Sequence, residues 1–160
     1  MRKIWWFAIA VCAFASPAFA GVPAAGGPAP QFSAPLAGGG NFSLALLHGK
    51  PVYLNFFASW CAPCNEEAPG INALQKKYAA RGLHVIGIDE QENAGKAMEF
   101  VKKYALGYPA VVDANGSVMQ PYGAIGLPLH VFIDRKGKIK VMRDGEMTQS
   151  EIDAAIKSIL

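Results

Sequence analysis

Apolar residues change their spacing several times along this 160-residue chain, and each change marks an element. Val52 to Phe57 (Val-Tyr-Leu-Asn-Phe-Phe) is a compact β-prone run that predicts a buried strand. Beyond Cys64, Ala68, Ile71, Leu74 and Tyr78 fall at helical spacing, and the pattern stops near Arg81-Gly82. Leu83 to Ile88 is a second short apolar run. The sequence therefore predicts strand–helix–strand, for which a right-handed crossover between parallel strands is the default. Ala97, Phe100, Val101 and Tyr104 mark a second helical face, and Ala110 to Val112 a short strand. Leu129 to Ile133 and Lys138 to Met142 flank the turn-rich Asp134-Arg135-Lys136-Gly137, which suggests an antiparallel hairpin. Ile152, Ala155, Ile156, Ile159 and Leu160 form a last amphipathic helix, opened by the capping-box pair Thr148 and Glu151. Ahead of these, Gln31 to Gly49 carries Gly38-Gly39-Gly40, a turn between small edge strands. The expectation is an α/β domain over residues 31–160, its mixed sheet covered on both faces by helices.

The start of the chain follows other rules. Met1-Arg2-Lys3 is basic, Ile4 to Ala15 apolar, and Ala18-Phe19-Ala20 an A-x-A site, the layout of a signal peptide over residues 1–20. An uncleaved membrane anchor is the alternative, since Trp5-Trp6 would suit a membrane interface. Residues 21–30, rich in Gly, Pro and Ala, read as a flexible linker. Losing Arg2 and Lys3 lowers the net charge from +3 to +1, which leaves no electrostatic case for binding nucleic acid.

Without the leader and its Cys12, the chain keeps only Cys61 and Cys64. Export would place them where a disulfide persists. A bridge across two intervening residues closes too small a loop to stabilise much, so the pair reads as chemical. It follows directly on the predicted strand and opens the predicted helix. The helix's free N–H groups and positive end favour a thiolate at Cys61, the nucleophile; Cys64, one turn in, resolves the mixed disulfide. Pro63 costs no hydrogen bond this early in a helix and restricts the loop.

Phe56-Phe57-Ala58-Ser59-Trp60-Cys61-Ala62-Pro63-Cys64 resembles the active-site run of the thioredoxin fold, and more narrowly that of exported TlpA/ResA-like thiol–disulfide oxidoreductases. Ala29-Pro30-Gln31-Phe32, Gly49-Lys50-Pro51-Val52, Pro69, and Gly126-Leu127-Pro128 followed by Phe132 to Gly137 fit the same layout. The resemblance implies a cis proline at Pro128, with the Leu127 backbone pairing to a bound peptide and Trp60, Ala62 and Pro63 at the substrate rim. Leu129 and His130 depart from the small polar residues common after that proline. Thioredoxin's buried aspartate is replaced by Asn55. A glutamate after the central strand is the implied proton acceptor for Cys64, with Glu92 favoured over Glu90 and Asp89.

The resemblance implies a monomeric periplasmic enzyme that reduces disulfides of exported proteins, cytochrome c maturation being one use. It needs no cofactor, and a membrane electron-donor protein restores its dithiol. The rival readings are an oxidant or isomerase, a thiol peroxidase and a metallochaperone. A peroxidase would carry Pro-x-x-x-Thr-x-x-Cys, which is absent, and Asn65 after Cys64 excludes C-x-x-C-H haem attachment. His48, His84 and His130 have no ligand spacing, and two cysteines make a poor structural zinc site. Lys136, Lys138 and Lys140 read as a solvated strand face.

Overall fold

A computed structural model describes residues 23–160; the leader, Cys12 and the first two linker residues lie outside them. The described elements are β1 (Ser33–Pro35), β2 (Asn41–Ser43), β3 (Val52–Phe57), α1 (Ala62–Tyr78), β4 (His84–Glu90), α2 (Ala94–Lys103), β5 (Ala110–Asp113), β6 (Leu129–Ile133), β7 (Ile139–Asp144) and α3 (Gln149–Ile159). Every residue of β3 is buried, because it is the middle strand of a five-stranded sheet ordered β5-β4-β3-β6-β7. β3, β4 and β5 run parallel, whereas β6 and β7 are antiparallel to their neighbours. Burial on both faces replaces polar alternation by a continuous apolar run, as the sequence of β3 shows.

The crossovers through α1 and α2 step the same way across the sheet, which places both helices on one face. There the Phe57 ring stacks on Phe100 of α2 with centroids 4.3 Å apart. Tyr53 shares that face with Ile71 and Leu74 of α1 and Ile152 and Ile156 of α3. On the opposite face Leu54, Phe56, Ile88 and Val131 meet Phe42, Leu44, Val118 and Tyr122. The helices on that second face are 3-10 turns, Leu44–Leu47 and Gln120–Tyr122, backed by the β1–β2 hairpin.

β1 and β2 form a sheet of their own, and the chain leaving β1 bridges Leu36 to Val111 and so covers the edge of β5. Gly39 and Gly40 make the hairpin turn at φ +97 and +82, a region that costs glycine little. The linker reading needs correction from Gly26 onward. Gly26 N–H donates to the Ile139 carbonyl at 2.7 Å, Ile139 N–H to Gly27 at 2.9 Å, and Ala29 N–H to Gly137 at 3.0 Å. The backbone groups at the start of β7 supply partners that composition alone does not reveal, and Ala29 is buried. The tip of the β6–β7 hairpin is solvated as expected, with Lys136, Lys138 and Lys140 exposed.

Candidate active site

Cys61 is the N-cap of α1, and its sulfur accepts the Cys64 N–H at 3.3 Å. The two sulfurs are joined in a disulfide with an S–S distance of 2.06 Å. Both cysteines are buried in a cluster with Phe57, Ala58, Ala68, Phe100 and Ala110, against which Leu127 packs. The Leu127–Pro128 bond is cis. Pro128 is buried, and its carbonyl accepts the Gly145 N–H at 2.8 Å. Leu129 and His130 are buried too, so the departure after the proline faces the core.

The segments that carry the disulfide and Pro128 each expose a large apolar side chain. Trp60 is 69% exposed and Ile125, three residues before Pro128, 97% exposed, two of the three large hydrophobic side chains left outside among the described residues. Ile125 is held in place by its N–H, which donates to the Asp144 carboxylate at 2.9 Å. Ala62 is exposed and Pro63 half-buried. Nothing in the sequence pattern singles out Ile125, because exposure in a loop leaves no periodicity.

The three acids have three different positions. Glu92 accepts the Ser59 N–H at 2.5 Å and the Ser59 hydroxyl at 2.7 Å, so it grips the loop two residues before Cys61. Asp89 sits opposite Phe57 in the ladder, fully buried, with no partner for either oxygen among the described residues. Burial, then the nearby Glu92 charge, pushes its carboxyl up to about 8. Glu90 points the other way, because successive strand residues face opposite sides of the sheet. It lies opposite Asp113 in the ladder, and burial, then Asp113, pushes it up to about 9. Asp89 and Glu90 belong to β4 itself, two residues beyond the end read from the sequence. Asn55 is buried, with its Nδ2 unpartnered among the described residues.

A further group joins elements far apart in the chain. The Tyr53 hydroxyl lies 2.7 Å from His130 Nδ1, and His130 Nε2 lies 3.4 Å from Glu67 Oε2. Burial, reinforced by Arg143, lowers the His130 imidazole to about 4, so it is neutral at pH 7. Burial raises Glu67 to about 7, against the Met147 N–H that donates to Oε1 at 2.8 Å. Glu67 stands three residues after Cys64, hence on the same side of α1. It also lines a cleft of about 450 Å³ with Pro63, Glu66 and Glu146. The i+3 spacing from Cys64 is the sequence signal that could have found Glu67; His130 carries no such signal. No three His, Cys, Asp or Glu side chains among the described residues converge to hold a metal.

Comparison with known proteins gives this arrangement a family. The redoxin family profile matches residues 24–156. ResA, a thiol–disulfide oxidoreductase of Bacillus thuringiensis subsp. konkukian, is 36% identical over 131 residues, covering 82% of this chain and 76% of its own. The chain belongs to the redoxin family. Two solved structures align with this redoxin over most of their length. One, assigned as thiol:disulfide interchange protein DsbE of Chlorobium tepidum, has 31% identity and a TM-score of 0.80, covering 86% of this chain and 98% of its own. The other, a secreted Mycobacterium tuberculosis disulfide oxidoreductase homologous to DsbE, has 29% identity and a TM-score of 0.74, covering 80% and 96%. The redoxin described here is a thiol–disulfide oxidoreductase of the thioredoxin fold and carries a Cys61–Cys64 disulfide.

Proposed function

We propose that this redoxin works in the periplasm as a monomer and reduces disulfides of exported proteins. The observation that carries the reading is a cysteine pair at a helix N-terminus, with Trp60 exposed directly before it and Ile125 exposed three residues before cis Pro128. Cys61 thiolate attacks one sulfur of the substrate disulfide, forms a mixed disulfide and releases the other sulfur as thiolate. Cys64 loses its proton and attacks Cys61 Sγ. The second substrate sulfur leaves, and Cys61–Cys64 carries the two electrons' worth of oxidation. A membrane electron-donor protein returns the pair to the dithiol. The Leu127 backbone beside Pro128 orients the partner, and Trp60, Ala62 and Pro63 contact it. Glu92 serves the reaction through Ser59, and Asp89 behind it is a buried proton store for the exchange. Exported apocytochrome c, with its own C-x-x-C pair, is the substrate to test first.

Equilibration against a glutathione buffer tests the direction. A potential below roughly −220 mV is expected of a reductant, and one near roughly −120 mV would make the protein a disulfide donor.

A further inference from the structure

Asn65 stands immediately after Cys64, in the first turn of α1, and its side-chain amide is fully engaged. Nδ2 donates to the Cys61 carbonyl at 2.7 Å and to the Ser59 carbonyl at 3.0 Å. Oδ1 accepts from the Tyr104 hydroxyl at 2.6 Å and from Lys103 Nζ at 3.0 Å. Two hydrogens given and two lone pairs used is the whole capacity of an asparagine. These contacts join the loop that presents Cys61 to the far end of α2. Glu92, just ahead of α2, holds the same loop through Ser59. The anchor is firm: Tyr104 packs on Phe100 at 4.8 Å between centroids, Phe100 stacks on Phe57 at 4.3 Å, and Lys103 Nζ lies 4.9 Å from the Tyr104 ring centroid.

In the disulfide form the S–S bond itself keeps Cys61 over the helix terminus. Reduction removes that restraint, at the stage when the sulfur must remain near the Cys64 N–H to be stabilised as thiolate. The Cys61 carbonyl is then gripped twice by one residue, by the Asn65 backbone N–H at 3.1 Å and by its side chain. We propose that Asn65, oriented by Tyr104 and Lys103, is a positioning residue that holds reduced Cys61 at the N-terminus of α1. The proposal rests on the dithiol chemistry above and is independent of which protein is the substrate. The charged groups around this loop are Lys103 and Glu92, bonded to the clamp, with Asp89 buried beside Glu92.

The test uses the full chain, with Asn65→Ala, Asn65→Asp and Tyr104→Phe. Two readouts need no substrate: the pH midpoint of Cys61 alkylation by iodoacetamide in the reduced protein, and the reduction potential. Asn65→Ala should raise the midpoint by about one pH unit, up to tenfold less thiolate below it, and favour the disulfide by up to tenfold, about 30 mV more negative. Asn65→Asp keeps the acceptors for Tyr104 and Lys103 but loses both donors, so it should lose as much thiolate as Ala or more. Tyr104→Phe removes one hydroxyl and should give about a threefold effect, which keeps the test decisive if the Asn65 variants do not fold. A midpoint and a potential unchanged in Asn65→Ala, or in Tyr104→Phe where Asn65→Ala is unfolded, would overturn the proposal whatever happens to the melting temperature. Lost substrate turnover with both readouts unchanged would count against the clamp and leave the dithiol chemistry standing.

Discussion

Glu90 gives the stability of this protein a pH dependence that can be isolated. The perturbation is Glu90→Gln, which keeps the shape and removes the ionisable group beside Asp113. Asp113 itself is committed as an acceptor, taking the N–H groups of Val118 at 2.9 Å and Met119 at 3.0 Å. The Glu90 carboxyl therefore stays protonated in the fold up to about 9, from an ordinary value of 4.5. Below pH 4.5 folded and unfolded chains both hold the proton, and stability is unaffected. Above it the unfolded chain releases its proton while the folded chain keeps it, so stability falls as pH rises towards 9. Each such pH unit costs about 1.4 kcal/mol, which sets an upper bound of roughly 4 kcal/mol between pH 5 and pH 8. Water entry and relaxation reduce this, and we expect about 1–3 kcal/mol. Urea unfolding of both proteins, disulfide intact, at pH 5 and pH 8 measures it. Glutamine should gain on glutamate across that interval, while effects common to both proteins cancel. A difference independent of pH would show that Glu90 ionises normally in the fold and refute the reasoning.

Other consequences are simpler. At Gly87 a Cβ would lie 3.0 Å from Phe57 Cε1 and 3.4 Å from Tyr108 Cε2, so Gly87→Ala should cost about 1–3 kcal/mol in denaturant unfolding. Ile125→Ser should lower kcat/KM for a protein disulfide several-fold while leaving reduction of a small aromatic disulfide unchanged; equal losses on both would remove Ile125 from the partner surface. Thr148→Ala removes the side-chain half of the capping box at α3, leaving the Thr148 backbone N–H to Glu151, and should cost about 1 kcal/mol by thermal unfolding, with no change in the alkylation of Cys61.

Much of this architecture was legible because its signals are local. β3 has the bounds read from the sequence, since a strand buried on both faces declares itself as an unbroken apolar run. The capping box fixed the start of α3, and the redox pair announced itself by spacing and by its place between strand and helix. What escaped depends on pairing over distance. Whether Asp89 or Glu90 faces the dithiol depends on strand parity, and β4 runs on through both acids where the apolar signal stops at Ile88. Tyr53 and His130 meet across 77 residues, and Asn65 finds Tyr104 across 39. The 3-10 turns at Leu44–Leu47 and Gln120–Tyr122 are too short to carry a period. Glycine, proline and alanine from Gly26 to Ala29 suggested freedom, but the start of β7 binds that stretch through its backbone.

That last attachment gives the molecule a polarity. β3 runs from Val52, opposite Ile133, towards Phe57 and the cysteines, and the segment Gly26–Ala29 is fixed at Gly137–Ile139, beyond Ile133. The chain thus enters at the pole where the central strand begins, and the reactive sulfurs lie past the pole where it ends, roughly 20 Å away for six extended residues. The Gly26–Ala29 attachment and the reactive face lie at opposite ends of the central strand. A partner seated over Trp60 would not contend for space with the backbone bonds that hold Gly26–Ala29 to Gly137–Ile139.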